Sequence, residues 1–164
     1  MSDLSLARVA DEVIADAWAQ VHNLIIPSNP LTVEQVVERS TVYVLDVAYL
    51  GGVVVGCSTV RPASAEEPVT VIVRILPAWR RRGWGSVLLA HALTHARAFG
   101  AVHVQTIVHA SNADGLEFAV HRGFVETDRY TLEGDSVPYV HLARSLDADP
   151  GSATSASSAS SERG

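Results

Sequence analysis

Ile75-Leu76-Pro77-Ala78-Trp79-Arg80-Arg81-Arg82-Gly83-Trp84-Gly85-Ser86 is the stretch that decides the fold, because it joins a buried strand to the most regular helix of the sequence. The strand predicted over Val69–Leu76 stops at Pro77, which cannot donate to a strand ladder. A helix is predicted over Ser86–Phe99, where apolar residues recur at helical spacing and Gly100 ends the run. A strand, a glycine-containing turn and a helix in this order indicate a layered α/β structure.

The same segment has the composition of an anion-binding turn. Gly83 and Gly85 remove side chains that would block a close approach to the backbone. The first N–H groups of the following helix have no intrahelical acceptor and lie at the positive end of its dipole. Arg80, Arg81 and Arg82 add forked donors that suit phosphate oxygens. A run of three arginines is by itself typical of a solvated loop, but the two glycines between strand and helix favour a phosphate site.

Two other phosphate-binding patterns do not fit the spacing. The dinucleotide fingerprint requires a third glycine where this sequence has Leu88. The phosphate loop of nucleotide hydrolases requires a lysine, and the 12 basic residues of this chain are all arginine. The lack of lysine also excludes Schiff-base chemistry through a lysine amine.

The composition predicts one folded domain and a tail. Of the 164 residues, 48% are apolar and 18% are charged, which is the balance of a globular chain. Residues 147–164 read DADPGSATSASSASSERG and hold too little apolar surface to offset the entropy of ordering. We therefore predict a folded domain over residues 1–146 and a disordered Ser/Ala-rich tail over residues 147–164.

Charge and cysteine content exclude several classes of protein. The formal net charge is −6 and the pI is about 5.6, so a broad basic surface for nucleic acid is not expected. The single cysteine, Cys57, excludes a disulfide framework or a cysteine-rich metal site and is predicted to be a small buried hydrophobe. No signal-like N-terminus and no apolar run near 20 residues are found, so we expect no membrane partner and a cytoplasmic protein.

Hydrophobic periodicity predicts the element order β-α-α-β-β-β-α-β-α-β-β. The predicted strands are Leu6–Ala10, Thr41–Leu50, Val53–Val60, Val69–Leu76, Val102–Val108, Phe124–Leu132 and Val137–Leu146, and the predicted helices are Asp11–Ile26, Val33–Arg39, Ser86–Phe99 and Asn112–Arg122. Asp11 and the pair Thr32 and Gln35 have the spacing of helix caps. The order predicts a mixed α/β (α+β) fold, with a mostly antiparallel central sheet of six to seven strands flanked by about four helices. The strands on either side of Ser86–Phe99 are expected to be parallel.

These features together resemble the GNAT superfamily of acyl-CoA-dependent N-acetyltransferases. The superfamily signature Gln/Arg-x-x-Gly-x-Gly/Ala stands here as Arg80-Arg81-Arg82-Gly83-Trp84-Gly85, with Pro77 just upstream. A second block, Asn-x-x-Ala-x-x-Phe-Tyr-x-x-x-Gly-Phe, is matched in part by Asn112, Phe118, Gly123 and Phe124. With the element order, the resemblance extends from about Leu6 to Leu146.

The resemblance implies an N-acetyltransferase that moves an acetyl group from acetyl-CoA to a primary amine of a small molecule or protein by direct attack. The strands around Ile75 and Val104–Val108 would part in a V-shaped cleft, and the Ile75 amide would hold the thioester carbonyl. The pantetheine arm would pair with the strand that ends at Leu76 and would touch Asn112, and the diphosphate would lie on the Arg82–Ser86 amides. The implied cofactor-binding residues are Ile75, Leu76, Arg80, Arg81, Arg82, Gly83, Trp84, Gly85, Ser86 and Asn112.

The sequence departs from the superfamily at the catalytic positions. Ala119 stands where the superfamily has a tyrosine that acts as general acid towards the departing thiolate, and losing a general acid costs about 10²–10⁴-fold in rate. The alternative interpretation is therefore a catalytically degenerate acyl-CoA-binding module. No catalytic residue is assigned, and the candidates for the general base, chosen by location alone, are Glu66, Glu67, His109, Tyr139 and His141. Tyr130 or Tyr139 could replace the missing hydroxyl.

Other conspicuous side chains receive structural interpretations. His91 and His95 have the i, i+4 spacing of metal ligands, but no third ligand is evident, so no metal is predicted and both are expected to face solvent. Trp18 is expected in the core. Trp79 and Trp84 flank the anion-binding turn and could pack either in the core or against a cofactor or partner. A homodimer through edge strands would be ordinary for such a fold.

Overall fold

The computed structural model describes residues 3–146, and the predicted tail over residues 147–164 lies outside the described residues. The strands are β1 Leu4–Arg8, β2 Val44–Leu50, β3 Val53–Arg61, β4 Thr70–Ile75, β5 His103–His109, β6 Val125–Tyr130 and β7 Tyr139–Ser145. The helices are α1 Glu12–Ile25, α2 Val33–Ser40, α3 Trp84–Ala98 and α4 Ala113–His121, with a 3₁₀ turn at Pro77–Trp79. The predicted element order is confirmed.

The seven strands form one sheet with the order β1-β2-β3-β4-β5-β7-β6. Every neighbouring pair is antiparallel except β4 and β5, which are parallel. These two strands pair only at Thr70 and Gln105, near their starts. Towards Ile75 and His109, where the two strands end, the sheet is therefore split into a V-shaped gap. The predicted mixed, mostly antiparallel sheet is confirmed.

The local sequence signals at the starts of α1 and α2 have the expected geometry. The Asp11 carboxylate accepts a hydrogen bond from the Ile14 amide at 2.9 Å. Thr32 Oγ1 accepts from the Gln35 amide at 3.1 Å, and Gln35 Oε1 accepts from the Thr32 amide at 2.9 Å. The two hydrogen bonds of this capping box join only Thr32 and Gln35, without residues from elsewhere in the fold, which is why sequence spacing alone could predict it.

The helices cover both faces of the sheet. Trp18 of α1 is 2% exposed and packs with Val47 and Cys57 on one face, as predicted for a core residue, and its indole Nε1 donates to Ser58 O at 3.1 Å. Helices α3 and α4 share the other face through the buried residues Leu89, Leu93, Ala96, Val104, Ala119, Phe124 and Leu142. Among the described residues, no helix has the length and apolar character needed to cross a lipid bilayer.

The apolar stripe of α3 is narrower than its sequence suggests. Val87 is 48% exposed and Phe99 is 44% exposed, although both follow the helical spacing of the buried residues. The helix meets the sheet through Leu88, Leu89, Ala92, Leu93 and Ala96. Val87 and Phe99 lie at the edge of this stripe and at the last turn, where the sheet does not reach.

Candidate functional site

The turn before α3 presents a row of free backbone N–H groups. Gly83 (φ +86°) and Arg81 (φ +63°) both adopt left-handed backbone conformations. The intrahelical ladder begins with the Val87 amide, which donates to Gly83 O at 3.3 Å. Among the described residues, no acceptor takes a hydrogen bond from any amide of residues 81–86. The dipole of the 15-residue helix behind them makes this row a site for anionic oxygens.

The two glycines of the turn have different roles. A Cβ at Gly83 would meet no atom within 4 Å, so this glycine provides the positive φ rather than space against the protein. A Cβ at Gly85 would lie 3.2 Å from Phe118 Cε2 of α4. Gly85 therefore also permits the close packing of the start of α3 against α4. The sequence analysis had assigned both glycines to backbone access alone.

The three consecutive arginines are not equivalent. Arg80 Nε donates to Ile75 O at 2.8 Å and its Nη1 lies 3.1 Å from Asp114 Oδ2, so this residue ties the turn to β4 and α4. Arg81 Nη2 lies 3.5 Å from Asp114 and 3.6 Å from Glu117. The exposed Arg82 stacks over Trp79 at 5.3 Å. Only Arg82 of the three is without a carboxylate partner among the described residues.

Helix α4 adds a cation that sequence reasoning missed. Arg122 Nη2 donates to Ser86 Oγ in the first turn of α3, and its guanidinium stacks over Phe118 at 5.3 Å. Arg122 lies 36 residues from Ser86 in the chain, so only the fold brings the two together. Its place one residue before Gly123 of the second block was the available signal.

Trp79 and Trp84 both pack against the buried cluster that contains Ala48, Val55 and Leu88. The core interpretation of these two side chains is therefore the one that the structure supports. Packing of both rings fixes the turn between them to the end of the sheet.

A cleft of about 360 Å³ lies between this turn and α4. It continues into a narrower space of about 30 Å³ between the diverging ends of β4 and β5. Val73, Arg74, Asn112 and Phe118 line both spaces. The narrower space also contacts Ile26, which follows α1 on the other side of the sheet. The gap between β4 and β5 thus connects the two faces.

The end of β4 offers one backbone donor to this gap. The Leu76 amide donates to Val55 O at 2.8 Å, and Leu76 O accepts from the Trp79 amide at 2.9 Å, so both backbone groups of Leu76 are already used. Opposite residues of an antiparallel ladder alternate between hydrogen-bonded and non-hydrogen-bonded pairs. Because Leu76 is hydrogen-bonded to Val55, the next pair, Gly56 and Ile75, shares no hydrogen bond. The Ile75 N–H therefore points away from β3, towards β5, where the strands have parted.

Asn112 and Ala119 lie at the two ends of α4. Asn112 caps the helix, since its Oδ1 accepts from the Gly115 amide at 3.1 Å, and its remaining amide group lines the cleft. Ala119 is 3% exposed and belongs to the core cluster beneath the narrow space. The position at which the resemblance requires a hydroxyl is thus filled by a buried methyl group.

Two of the five candidates for the general base lie together at the gap. The rings of His109 and Tyr139 meet edge to face at 4.9 Å. His109 Nδ1 is hydrogen-bonded to Ser111 Oγ. His109 Nε2 and Tyr139 Oη are buried and have no hydrogen-bond partner among the described residues. Nearby, His141 Nδ1 lies 3.2 Å from Gln105 Oε1.

The two glutamates among these candidates lie further from the gap. Gln105 Nε2 donates to Glu67, at the end of the loop that precedes β4. Glu66 is exposed in the same loop. Neither residue lines the cleft or the narrow space.

Cys57 is completely buried on the α1 face. Desolvation raises the pKa of its thiol to about 12, so the thiol stays protonated and is not a nucleophile. Its predicted role as a small buried hydrophobe agrees with this environment.

The side chains of His91 and His95 are 40% and 26% exposed, and both also contact a carboxylate of the sheet. Their Nε2 atoms lie 3.5 and 3.7 Å from Oδ2 of Asp46, a buried carboxylate on β2 and the third candidate ligand that spacing alone did not show. Arg8 Nε donates to Asp46 Oδ1 at 2.7 Å, and Arg8 Nη2 lies 3.3 Å from His95 Nε2. Burial and the Arg8 charge lower the pKa of His95. The guanidinium already balances Asp46, so we interpret the four residues as an ion-pair network between β1, β2 and α3.

The sequence profile of the acetyltransferase (GNAT) family matches residues 15–124, which span the anion-binding turn, the gap and α4. The chain belongs to the GNAT acetyltransferase family. This match confirms the resemblance stated from the two sequence blocks. No protein of curated function matches the chain in sequence.

Solved structures share the GNAT fold of this chain. One is yncA from Salmonella typhimurium, described provisionally as an acetyltransferase and solved with its cofactor acetyl-CoA, with 17% identity and a TM-score of 0.71 over 90% of this chain and 96% of that chain. An N-acetyltransferase from Staphylococcus aureus has 16% identity and a TM-score of 0.70, covering 88% and 99%. A ribosomal-protein-alanine N-acetyltransferase from Brucella melitensis has 19% identity and a TM-score of 0.69, covering 87% and 99%.

Proposed function

We propose that this GNAT protein transfers an acetyl group from acetyl-CoA to a primary amine. The observation that carries the proposal is the row of unbonded N–H groups at residues 81–86, at the mouth of a cleft that leads into the gap between β4 and β5. A diphosphate on these amides would direct the rest of a coenzyme A molecule into the cleft. The fold shared with an acetyl-CoA-bound protein supports this choice of acyl donor.

The residues of the gap fit direct attack on a thioester. The amine nitrogen would bond to the carbonyl carbon, the carbon–sulfur bond would break, and the sulfur would leave as the thiolate of coenzyme A. The Ile75 N–H, directed into the gap, is placed to donate to the carbonyl oxygen as negative charge develops there. Holding both reactants in one narrow space would supply much of the rate enhancement.

We assign the general base to His109. If Nδ1 carries the proton and donates to Ser111 Oγ, the lone pair of Nε2 is free, and Nε2 is buried without a partner among the described residues. An amine entering the gap from the α1 face would reach this atom and could pass its proton to it. Tyr139 contacts the His109 ring and bounds one side of the space that the amine would occupy.

The departure of the thiolate does not require a hydroxyl at position 119. A thiol is far more acidic than an alcohol, with a pKa of about 8.5 for cysteine, so a thiolate is stable enough to leave without being protonated in the same step. Ala119 nevertheless favours a second candidate function, an acyl-CoA-binding module without turnover, because no general acid is supplied there.

The first experiment tests coenzyme binding separately from catalysis. Acetyl-CoA and coenzyme A should raise the melting temperature of the protein, since a ligand that binds only the native state stabilises it by RT ln(1 + [L]/Kd). Gly83→Glu should weaken binding at least tenfold relative to Gly83→Gln. Both variants carry the same backbone strain at φ +86° and both have open space at Cβ, so their difference isolates the negative charge. An unchanged melting temperature at millimolar acetyl-CoA would refute the proposed function.

Release of free thiol from acetyl-CoA in the presence of an amine panel then separates the two candidates. The transferase releases thiol in proportion to acceptor, whereas the binding module is stabilised by acetyl-CoA and releases none. The amine panel consists of leucine, phenylalanine and methionine together with leucinamide, phenylalaninamide and methioninamide.

A further inference from the structure

We propose that the acceptor of this transferase carries an anionic group beside its amine, and that Arg74 binds that group. This inference rests on the proposed function and adds the chemical class of the acceptor. The simplest acceptor of this class is a free amino acid, whose carboxylate would meet Arg74 while its amine enters the gap.

Arg74 lies on the face of the sheet opposite to the anion-binding turn. It pairs in register with Cys57, which packs against α1, so the two side chains share the α1 face. Its neighbour Ile75 belongs to the cluster beneath α3 on the other face. Arg74 also lines both the cleft and the narrow space between β4 and β5. It therefore stands where an acceptor would approach a thioester from the α1 side.

The charge of Arg74 is not balanced by the protein. Among the described residues, no carboxylate oxygen lies within 4.0 Å of the Arg74 or Arg61 guanidinium, although eight arginine or histidine pairs with carboxylates occur elsewhere in the same residues. The side-chain partner of Arg74 is the protonated Cys57 thiol, and burial lowers the pKa of Arg74. A desolvated cation without a counter-ion destabilises the free protein, and an anionic ligand would offset that cost.

Neighbouring residues extend the positive potential along this face. Arg39 and Arg61 line an open hollow of about 440 Å³ together with Glu38 and Tyr43, and Arg61 stacks over the Tyr43 ring at 5.2 Å. Burial, followed by the charge of Arg74, lowers the pKa of His22 to about 4, and Arg39 acts in the same direction. Glu38 lines the same hollow and Glu67 acts on Arg61, so Arg39, Arg61 and Arg74 leave a small positive excess on this face, which favours a negatively charged partner.

The distance between the two binding elements indicates a small acceptor. Arg74 and Ile75 are adjacent in the chain, with Cα atoms about 3.8 Å apart, so the Ile75 N–H lies next to the root of the Arg74 side chain. An acceptor whose amine attacks a carbonyl held by the Ile75 N–H while its anionic group meets Arg74 would therefore have only a few bonds between the two groups. An α-amino acid satisfies this requirement, whereas the amine of a lysine side chain within a protein lies several bonds from any carboxylate.

The test compares each amino acid with its own amide, because the two differ in the charge that Arg74 would bind. Leucine, phenylalanine and methionine are assayed beside leucinamide, phenylalaninamide and methioninamide by thiol release. We expect kcat/KM to favour at least one acid over its amide by about 30-fold or more, the minimum effect of removing one partner of a buried charge pair. Arg74→Met should bring this ratio close to one, and Arg74→Lys should retain part of it.

Arg129→Met is the matched control. Arg129 pairs in register with Val140 on the α3 face and lies at the surface, so its removal should leave the ratio unchanged. The melting temperature adds a second readout: Arg74→Met should keep or raise it, because a partly buried cation without a counter-ion is removed. A purely structural arginine would instead lower it.

The outcomes separate this inference from the proposed function. Equal use of acids and amides, or a preference that survives in Arg74→Met, would overturn the inference while leaving the transferase intact. If no amine releases thiol, the transferase fails, and saturation-transfer NMR of leucine and leucinamide on the coenzyme A-loaded protein still decides the inference. Binding of leucine that depends on Arg74 supports it, and equal or absent binding of the two overturns it.

Discussion

At the scale of single residues, the assignment of His109 makes a kinetic prediction. His109→Gln should lower kcat about 100-fold, because the amine proton loses its acceptor, while acetyl-CoA affinity should stay within twofold of wild type. Ser111→Ala should give a smaller loss of kcat, since it removes only the hydrogen bond that orients the ring. Steady-state kinetics and calorimetric titration of acetyl-CoA measure the two quantities.

The control for this prediction is His103→Gln, a surface histidine on the same strand. Equal kcat values for His109→Gln and His103→Gln would show that His109 is not the base. A loss of acetyl-CoA affinity in His109→Gln would instead indicate that the ring shapes the cleft.

Residue-level prediction succeeded where the signal is local. Gly83 and the amides after it could be located from the sequence, because a left-handed glycine before a helix creates free N–H groups by itself. His109 could be placed only in a group of five candidates, since its contact with Tyr139 is made across two strands. The same reason explains why Asp46 was missed as the partner of His91 and His95.

At the scale of elements, α4 forms a charged wall opposite the anion-binding turn. Its residues Asp114 and Glu117 pair with Arg80 and Arg81, and both carboxylates line the cleft. An incoming diphosphate would have to compete with them for the same guanidinium groups. The carboxylates that hold Arg80 and Arg81 in place in the free protein would thus also repel the proposed diphosphate.

Asp114→Asn should therefore tighten the binding of coenzyme A. Removing one exposed carboxylate from a surface pair changes the free energy by about 0.2–1 kcal/mol, so we expect the Kd to fall by a factor of about 1.4 to 5. Salt should reduce the difference between the variants, because these charges are open to solvent. Calorimetric titration at low and high ionic strength provides both numbers. A higher Kd in Asp114→Asn would show that the Asp114 carboxylate orders the turn for coenzyme A binding.

Control variants identify the source of the effect on this wall. Glu126→Gln removes a carboxylate of similar exposure from the Arg129 pair on β6, outside the residues that line the cleft. It should leave the Kd for coenzyme A unchanged. An equal gain in affinity from Glu126→Gln would assign the effect to net charge rather than to α4.

At the scale of the whole molecule, the order of elements could be predicted but the functional faces could not. The signals for strands and helices are local: hydrophobic periodicity, prolines and glycines at element ends, and two helix caps. Each lies within a short stretch of sequence, so the strands and helices could be predicted from it. The proposed coenzyme and acceptor faces of the sheet communicate through the gap that lies beyond the single pairing of Thr70 with Gln105. Arg74 and Ile75 are adjacent in the chain and lie on opposite faces, because side chains alternate along a strand.

His22 links the acceptor face to the stability of the whole molecule. Burial and the arginine charges lower its pKa to about 4 in the folded protein, against 6.5 for an ordinary histidine. Below pH 6.5 the unfolded chain therefore takes up a proton that the folded protein does not accept until pH falls near 4. The free energy of unfolding is complete above pH 6.5 and is lost as pH falls through this window. His22 is 6% exposed, so solvent screens the ring little, and we expect a loss of roughly 2–3 kcal/mol by pH 4.

Urea unfolding between pH 7 and pH 4 checks this expectation in wild type, His22→Gln and His103→Gln. His22→Gln should lose less stability than wild type across the window, although its stacking on Trp18 is gone and its starting stability is lower. The slope of unfolding free energy with pH is the quantity to compare, because the lost stacking shifts all points equally. His103→Gln, changed at the surface, should keep the wild-type slope. Parallel slopes for wild type and His22→Gln would show that burial and the arginine charges together do not hold His22 neutral, and would remove one support for a positive potential on this face.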